Sequence, residues 1–197
     1  MPNNLAIFYC GTNGAGKSTL RTFNHDTVEI VIDSDHIAAQ INPAHPRLAD
    51  MEAGRKAISL FQFAMKQRLS FSMESTLSGH SILQRMKTAR DSGFYVRLNY
   101  VAVDDVAINL ARVTARVKAG GHFIDSDTVC RRFQTASKHL LQALPFCHEV
   151  FVYDNSYEQP NLIFWLTPPR ITQFGKCLPQ WCAQLQTDLL RLGYQKF

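Results

Sequence analysis

No cysteine framework runs through this 197-residue chain: its five cysteines (Cys10, Cys130, Cys147, Cys177 and Cys182) are odd in number and include no C-x-x-C pair. That speaks against a disulfide scaffold and predicts free thiols. A basic, apolar leader is also missing, since the chain opens Met1-Pro2-Asn3-Asn4; a reducing cytoplasm is the expected compartment. No stretch approaches the roughly 18 uninterrupted apolar residues of a membrane-spanning helix, so no membrane partner is expected. Internal repeats, low-complexity tracts and linkers are absent, and the length suits one compact domain or one domain with a small appendage. Charged residues are only 19% against 46% hydrophobic, which is the composition of a chain that buries a core. Acids are the scarcer charge, 16 against 21 lysines and arginines, for a net charge of +5. Such a balance fits a protein that handles phosphates, nucleic acid or anionic surfaces.

What is present is a regular alternation. Leu5 to Tyr9 is a short apolar run that stops at Cys10-Gly11, and a glycine-rich turn leads into Lys17-Ser18-Thr19-Leu20-Arg21, good helix formers without a breaker. Val28 to Ile32 is a second, β-branched run, and after the breaks at Pro43 and Pro46 the periodicity predicts a helix over 51–69. A strand at Phe71–Met73, a helix at Ser81–Asp91, a strand at Tyr95–Val103 and a helix at Asp104–Lys118 follow, the last terminated by Gly120-Gly121. Asp127 to Leu144 reads as helix and Glu149 to Tyr153 as a fifth strand. This predicts an α/β, three-layer phosphate-loop NTPase or kinase fold, with a mostly parallel sheet of about five strands and helices on both faces. A strand-like Leu162 to Leu166 and a helix from Pro179 to Leu192 then form an expected appendage over 157–197, packed on the same domain. The whole chain, 1–197, is read as one domain.

Gly11-Thr12-Asn13-Gly14-Ala15-Gly16-Lys17-Ser18 matches G-x-x-x-x-G-K-[ST] between a predicted strand and a predicted helix. The amides of such a turn converge on phosphates, the helix N-terminus adds positive potential, Lys17 reaches the β and γ oxygens, and Ser18 ligates magnesium. Residues 11–19, including Thr19, are therefore the expected ATP site, with Lys17 pairing only with ligand phosphates. Asp33 and Asp35 end the second strand two residues apart, at the sheet edge where α/β proteins bind ligands. One can hold the magnesium shell while the other takes a proton from an attacking hydroxyl. The competing reading is a helix cap. Glu74, after the third strand, is placed beside metal or substrate, and Thr76 with it. Arg112 and Arg116 share a helical face four residues apart, and Gly120-Gly121 can hinge a lid that brings Arg131 or Arg132 to the phosphates. Neighbours on a helix lie about 100° apart, so only one of those two can face a ligand.

These segments, together with Ile32-Asp33-Ser34-Asp35, Gly54-Arg55, Glu74-Ser75-Thr76-Leu77-Ser78-Gly79, Gly120-Gly121-His122 and Arg131-Arg132-Phe133, resemble the zeta toxin family, in its small bacterial branch. The resemblance runs from about Ala6 to Ser156. It implies a kinase that phosphorylates a hydroxyl of UDP-N-acetylglucosamine, with Asp35 as base, Arg55, Glu74, Thr76 and Arg112 as substrate contacts and an antitoxin protein as a partner. Asp125 stands where the branch usually has proline, and His139-Leu140 where it has Asn-Leu. The reading is a magnesium-dependent ATP kinase acting on a small or nucleotide-sugar acceptor, with Asp33 supporting the metal beside Ser18, Asp35 as the base, and Arg116 with Arg131 or Arg132 neutralising the transferring charge. Its rivals are a polynucleotide 5′-hydroxyl kinase, which the basic charge permits although nucleic acid is not the expected partner, and a non-catalytic ATP-gated module.

Overall fold

One sheet collects every strand in the computed structural model, which describes residues 4–121 and 123–197. The chain runs β1 (Leu5–Cys10), α1 (Lys17–Asn24), β2 (Ile30–Ile32), α2 (Ser34–Ile41), a 3₁₀ turn (Pro46–Ala49), α3 (Asp50–Gln67), β3 (Phe71–Ser75), α4 (His80–Asp91), β4 (Tyr95–Ala102) and α5 (Val106–Lys118). There follow α6 (Ser126–Ala143), β5 (Glu149–Asp154), β6 (Asn161–Thr167), β7 (Arg170–Gln173), α7 (Gln180–Arg191) and β8 (Gln195–Lys196). Strand order is β2-β3-β1-β4-β5-β6-β7-β8. The first five strands of that order are mutually parallel, as the alternation requires. With β3 and β4 on its two sides, β1 is the point where the crossovers reverse, and ligands of open α/β sheets bind outside the carboxyl ends of the strands there.

The sheet has eight strands rather than about five. The apolar run after Pro160 folds back antiparallel on β5, β7 adds antiparallel and β8 adds parallel, so the C-terminal residues lengthen the sheet. Two-residue β8 is too short to carry a period of its own. A helix also forms where the sequence shows Asp33-Ser34-Asp35 after β2, because Asp33 caps it: Asp33 Oδ1 accepts the amides of Asp35 (3.1 Å) and His36 (3.2 Å).

Alternation along β1 sends Ala6, Phe8 and Cys10 into the larger core, with the buried faces of α3, α4, α6 and α7, and Ile7 and Tyr9 to the other face with Leu20 of α1. Phe71 is met edge-on by Phe8, Phe61 and Phe94 at centroid distances of 5.8, 5.6 and 5.8 Å. Such pairs contribute about 0.5–1.5 kcal/mol each beyond area burial. They fasten α3 to the strand that carries Glu74.

Candidate active site

Residues 11–16 join β1 to α1, and most of their carbonyls already have donors. Asn109 Nδ2 donates to the Asn13 carbonyl at 2.7 Å and Asn155 Nδ2 to that of Ala15 at 2.7 Å. Lys17 Nζ donates to the carbonyls of Gly11 (3.0 Å) and Thr12 (3.3 Å). A loop whose acceptors are spent presents donors, which is the requirement for an anion. Lys17, Ser18 and Thr19 begin α1, whose first-turn amides have no intrahelical acceptor, and the N-cap Gly16 supplies no side chain to take them. Gly14 and Gly16 sit at φ +78° and +101°, and a Cβ there would stand 2.6 Å from the Asn109 carbonyl oxygen or 2.2 Å from Asn155 Nδ2. Both positions therefore exclude any side chain.

A cleft of about 410 Å³ opens in front of this loop, lined among others by Lys17, Asp33, Asp35, Glu74, Thr76 and Arg132. Lys17 does not wait for phosphate alone, as the sequence reading had it; it folds back onto the loop carbonyls. Burial pushes its ammonium below the ordinary lysine range. Ser18 Oγ donates to Glu74 Oε2 at 2.9 Å. Burial, and next the charge of Asp33, push the Glu74 carboxyl above its usual range against the opposing pull of Arg21 and Lys17. Asp35 lies in the first turn of α2, where the helix dipole favours negative charge, half-exposed with its Oδ2 3.8 Å from Arg116 Nη1.

The metal assignment of Asp33 is not what the geometry favours. One oxygen caps α2 and the other pairs with Arg21 Nη2 at 3.4 Å, so the carboxylate bonded to Ser18 is that of Glu74. Arg21 was missed: its Nε donates to Glu74 Oε1 at 2.8 Å, holding the two acids together. Its place three residues after Ser18 on α1 was the available signal. Of the adjacent arginines, Arg132 faces the cleft and donates to Asn13 Oδ1 at 2.7 Å, whereas Arg131 is exposed and its Nη2 only grazes Thr128 Oγ1 at 3.5 Å. Arg132 is thus at the loop in this structure, on α6, whose start Asp125 caps through the Thr128 amide. His122 lies outside the described residues.

Gly120 terminates α5 in the left-handed region (φ +84°), and a Cβ on Gly121 would meet Arg116 Cγ at 2.6 Å. The Gly-Gly pair therefore packs Arg116. Arg112 is placed away from substrate: its guanidinium donates to the carbonyls of Asn155 (2.8 Å) and Tyr157 (3.0 Å). It braces the loop after β5, whose Asn155 in turn holds the phosphate loop. Arg55 and Thr19 are exposed, on α3 and α1, and neither lines the cleft. Thr76 does, its hydroxyl 2.7 Å from that of Ser78.

Replacing Arg132 with glutamine is expected to lower turnover by up to about 10³-fold, the scale of an arginine that neutralises transferring charge. The same change at Arg131 should cost little, since an exposed arginine contributes weakly. Equal losses in steady-state turnover of the two variants would show that both act only through α6.

Among the described residues no helix is long and apolar enough to cross a membrane, and no group of three or more His, Cys, Asp or Glu side chains is arranged to hold a metal. A hydroxyl beside one carboxylate fits magnesium, which keeps waters and shares phosphate oxygens.

Residues 2–159 match the family model described as Zeta toxin. An uncharacterised protein of Haemophilus influenzae (strain ATCC 51907 / DSM 11121 / KW20 / Rd) is 70% identical over 130 residues, 66% of this chain and 93% of that one. A structure from the PezAT chromosomal toxin-antitoxin system of Streptococcus pneumoniae is similar with a TM-score of 0.60 at 16% identity, over 97% of this chain and 85% of that one. The AvrRxo1-ORF1:AvrRxo1-ORF2 structure with sulphate ions gives 0.70 at 11% identity, over 95% of this chain and 63% of that one. Its counterpart with ATP gives 0.65 at 12%, over 83% and 58%. At these identities the solved structures speak for the fold, a phosphate-loop kinase fold.

Proposed function

Because the chain belongs to the zeta toxin family, we propose that it is an ATP-dependent kinase. It transfers the γ-phosphoryl group to a hydroxyl of a small or nucleotide-sugar acceptor, UDP-N-acetylglucosamine being the one that the family resemblance implies. The observation that carries this reading is the phosphate loop with the Asn13 and Ala15 carbonyls held by Asn109 and Asn155, Lys17 at its centre and Asp35 on the same cleft. The ATP bound by the AvrRxo1 complex of like fold supports the choice of nucleotide.

The loop amides and Lys17 hold the β- and γ-phosphates, and Arg132 neutralises charge on the transferring group. Asp35 accepts the proton of the attacking hydroxyl, while Thr76 and Ser78 offer hydroxyls to the acceptor. Ser18, with Glu74 beside it, would hold magnesium, which would supply neutralisation of phosphate charge. Asp33 and Arg21 position Glu74, and Arg112 positions the phosphate loop through Asn155. The chain works as one domain in the cytoplasm, and the toxin-antitoxin system to which the similar PezAT structure belongs supports an antitoxin protein as partner.

The test is incubation with γ-labelled ATP, magnesium and a panel of UDP-sugars, other hydroxyl compounds, nucleosides and oligonucleotides. Label on a sugar or small alcohol is the expected result; label on oligonucleotides alone, or on nothing, overturns it.

The pH profile of kcat/KM should be narrowed from both sides. Glu74 has a raised pKa, so its charge is lost, as pH falls, at a higher pH than for an ordinary carboxylate. Lys17 has a lowered one, so its charge is lost, as pH rises, before that of an ordinary lysine. Glu74→Gln should move the acid limb to lower pH, and an unmoved limb would remove Glu74 from the titrating set.

A further inference from the structure

Arg85 of α4 lines the same cleft as Thr76 and Glu74 but has no acid to pair with. Its guanidinium carbon lies 5.9 Å from the centre of the Phe61 ring, and its Nη1 faces Met73 Sδ at 3.8 Å, a weak acceptor. Among the described residues no carboxylate comes within ion-pair distance of it. The other cations of the site are engaged: Lys17 with loop carbonyls, Arg132 with Asn13, Arg21 with Glu74 and Asp33, and Arg116 with Asp35. Burial alone holds the Arg85 pKa below the usual arginine range, so the charge is kept at a desolvation cost. A leucine or methionine would cover Phe61 without that cost, so packing does not account for a guanidinium here. Five fixed donors and no acceptor suit one kind of guest, a planar or tetrahedral oxyanion.

We infer that Arg85 binds a phosphate or carboxylate group carried by the acceptor, which makes the acceptor a hydroxyl compound with a negative group away from its reacting oxygen. This rests on the kinase reading, in which Lys17, Ser18 and Arg132 claim the phosphates of the nucleotide. Arg85 reaches the cleft from α4, the helix that follows Thr76. Specificity then comes from a charge: a neutral analogue of the acceptor leaves Arg85 half-buried and unpaired, and is rejected for that reason.

The experiment fills the phosphate loop of the full chain with AMP-PNP and magnesium, then titrates inorganic phosphate by calorimetry. Arg85→Gln and Arg85→Met are measured beside the natural chain; the methionine keeps the apolar cover on Phe61. Phosphate should bind the natural chain and bind both variants about 10- to 100-fold more weakly, the loss of a charged hydrogen-bond pair, with AMP-PNP affinity unchanged. Acetate is then added in competition. Displacement points to a carboxylate as the natural group and resistance to a phosphate ester, and either outcome supports an oxyanion at Arg85. AMP-PNP binding with no phosphate binding, or equal phosphate binding by the variants, overturns the inference while leaving the kinase reading standing. A chain that fails to bind AMP-PNP overturns the kinase reading and this inference with it.

Discussion

Lys17→Ala should lower phosphoryl transfer by about 10³-fold or more, about 4 kcal/mol of transition-state stabilisation, with the fold intact. The ammonium sits in the cleft wall and bonds only the carbonyls of Gly11 and Thr12. Thr12 keeps a second partner, the Ala15 amide at 3.0 Å, so truncation leaves little backbone unsatisfied. Phosphoryl transfer depends on charge held in position, and Arg132 also brings a positive charge to this loop, through Asn13. Circular dichroism and thermal melting should be near those of the natural chain while labelled transfer disappears. Near-native turnover in the variant would dismiss the phosphate loop as a catalytic element.

Asp35→Asn is expected to cut kcat by about 10²- to 10⁴-fold and leave nucleotide affinity nearly unchanged, because a base acts in the transition state and not in ground-state binding. Asp35 carries no structural duty that asparagine would fail: the α2 cap is Asp33, and the ion pair with Arg116 is long at 3.8 Å and half-exposed. Asp33→Asn should behave differently. It retains the capping oxygen but loses the charge that helps hold Arg21 against Glu74, so its effect belongs in the magnesium requirement and in stability. Steady-state kinetics of the pair separate the roles. Should Asp33→Asn lose turnover at saturating magnesium while Asp35→Asn keeps it, the base is Asp33.

The sequence by itself determined the phosphate loop and the parallel core. Gly11 to Ser18 is contiguous, and the conformations it needs are demanded residue by residue: glycines where φ is positive and a side chain would collide, then lysine and serine at the helix start. Strand and helix periods determined β1, β3, β4, α3, α4 and α5 to within a few residues, because each buries one face or both against a single core. Asp35, Glu74, Thr76 and Arg132 were legible as candidates from their positions after strands or beyond a glycine pair, and all four line the cleft.

Tertiary structure decided which of several equivalent side chains point inward and what each is already bonded to. Arg131 and Arg132 are indistinguishable along the chain; the packing of α6 turns only the second toward Asn13. Arg112 and Arg116 share a helix face, yet the loop after β5 captures the first. Asp33 is two residues from Asp35, and the start of α2 takes one as cap and leaves the other facing the cleft. Arg21, Arg85 and Asn155 come from three separated elements, and their partners or the cleft they line lie far along the chain, so no local period marks them. The physical reason is the same throughout: a local motif is specified by backbone conformation and residue type, whereas the direction of a long polar side chain is settled by which partner across the fold satisfies it first.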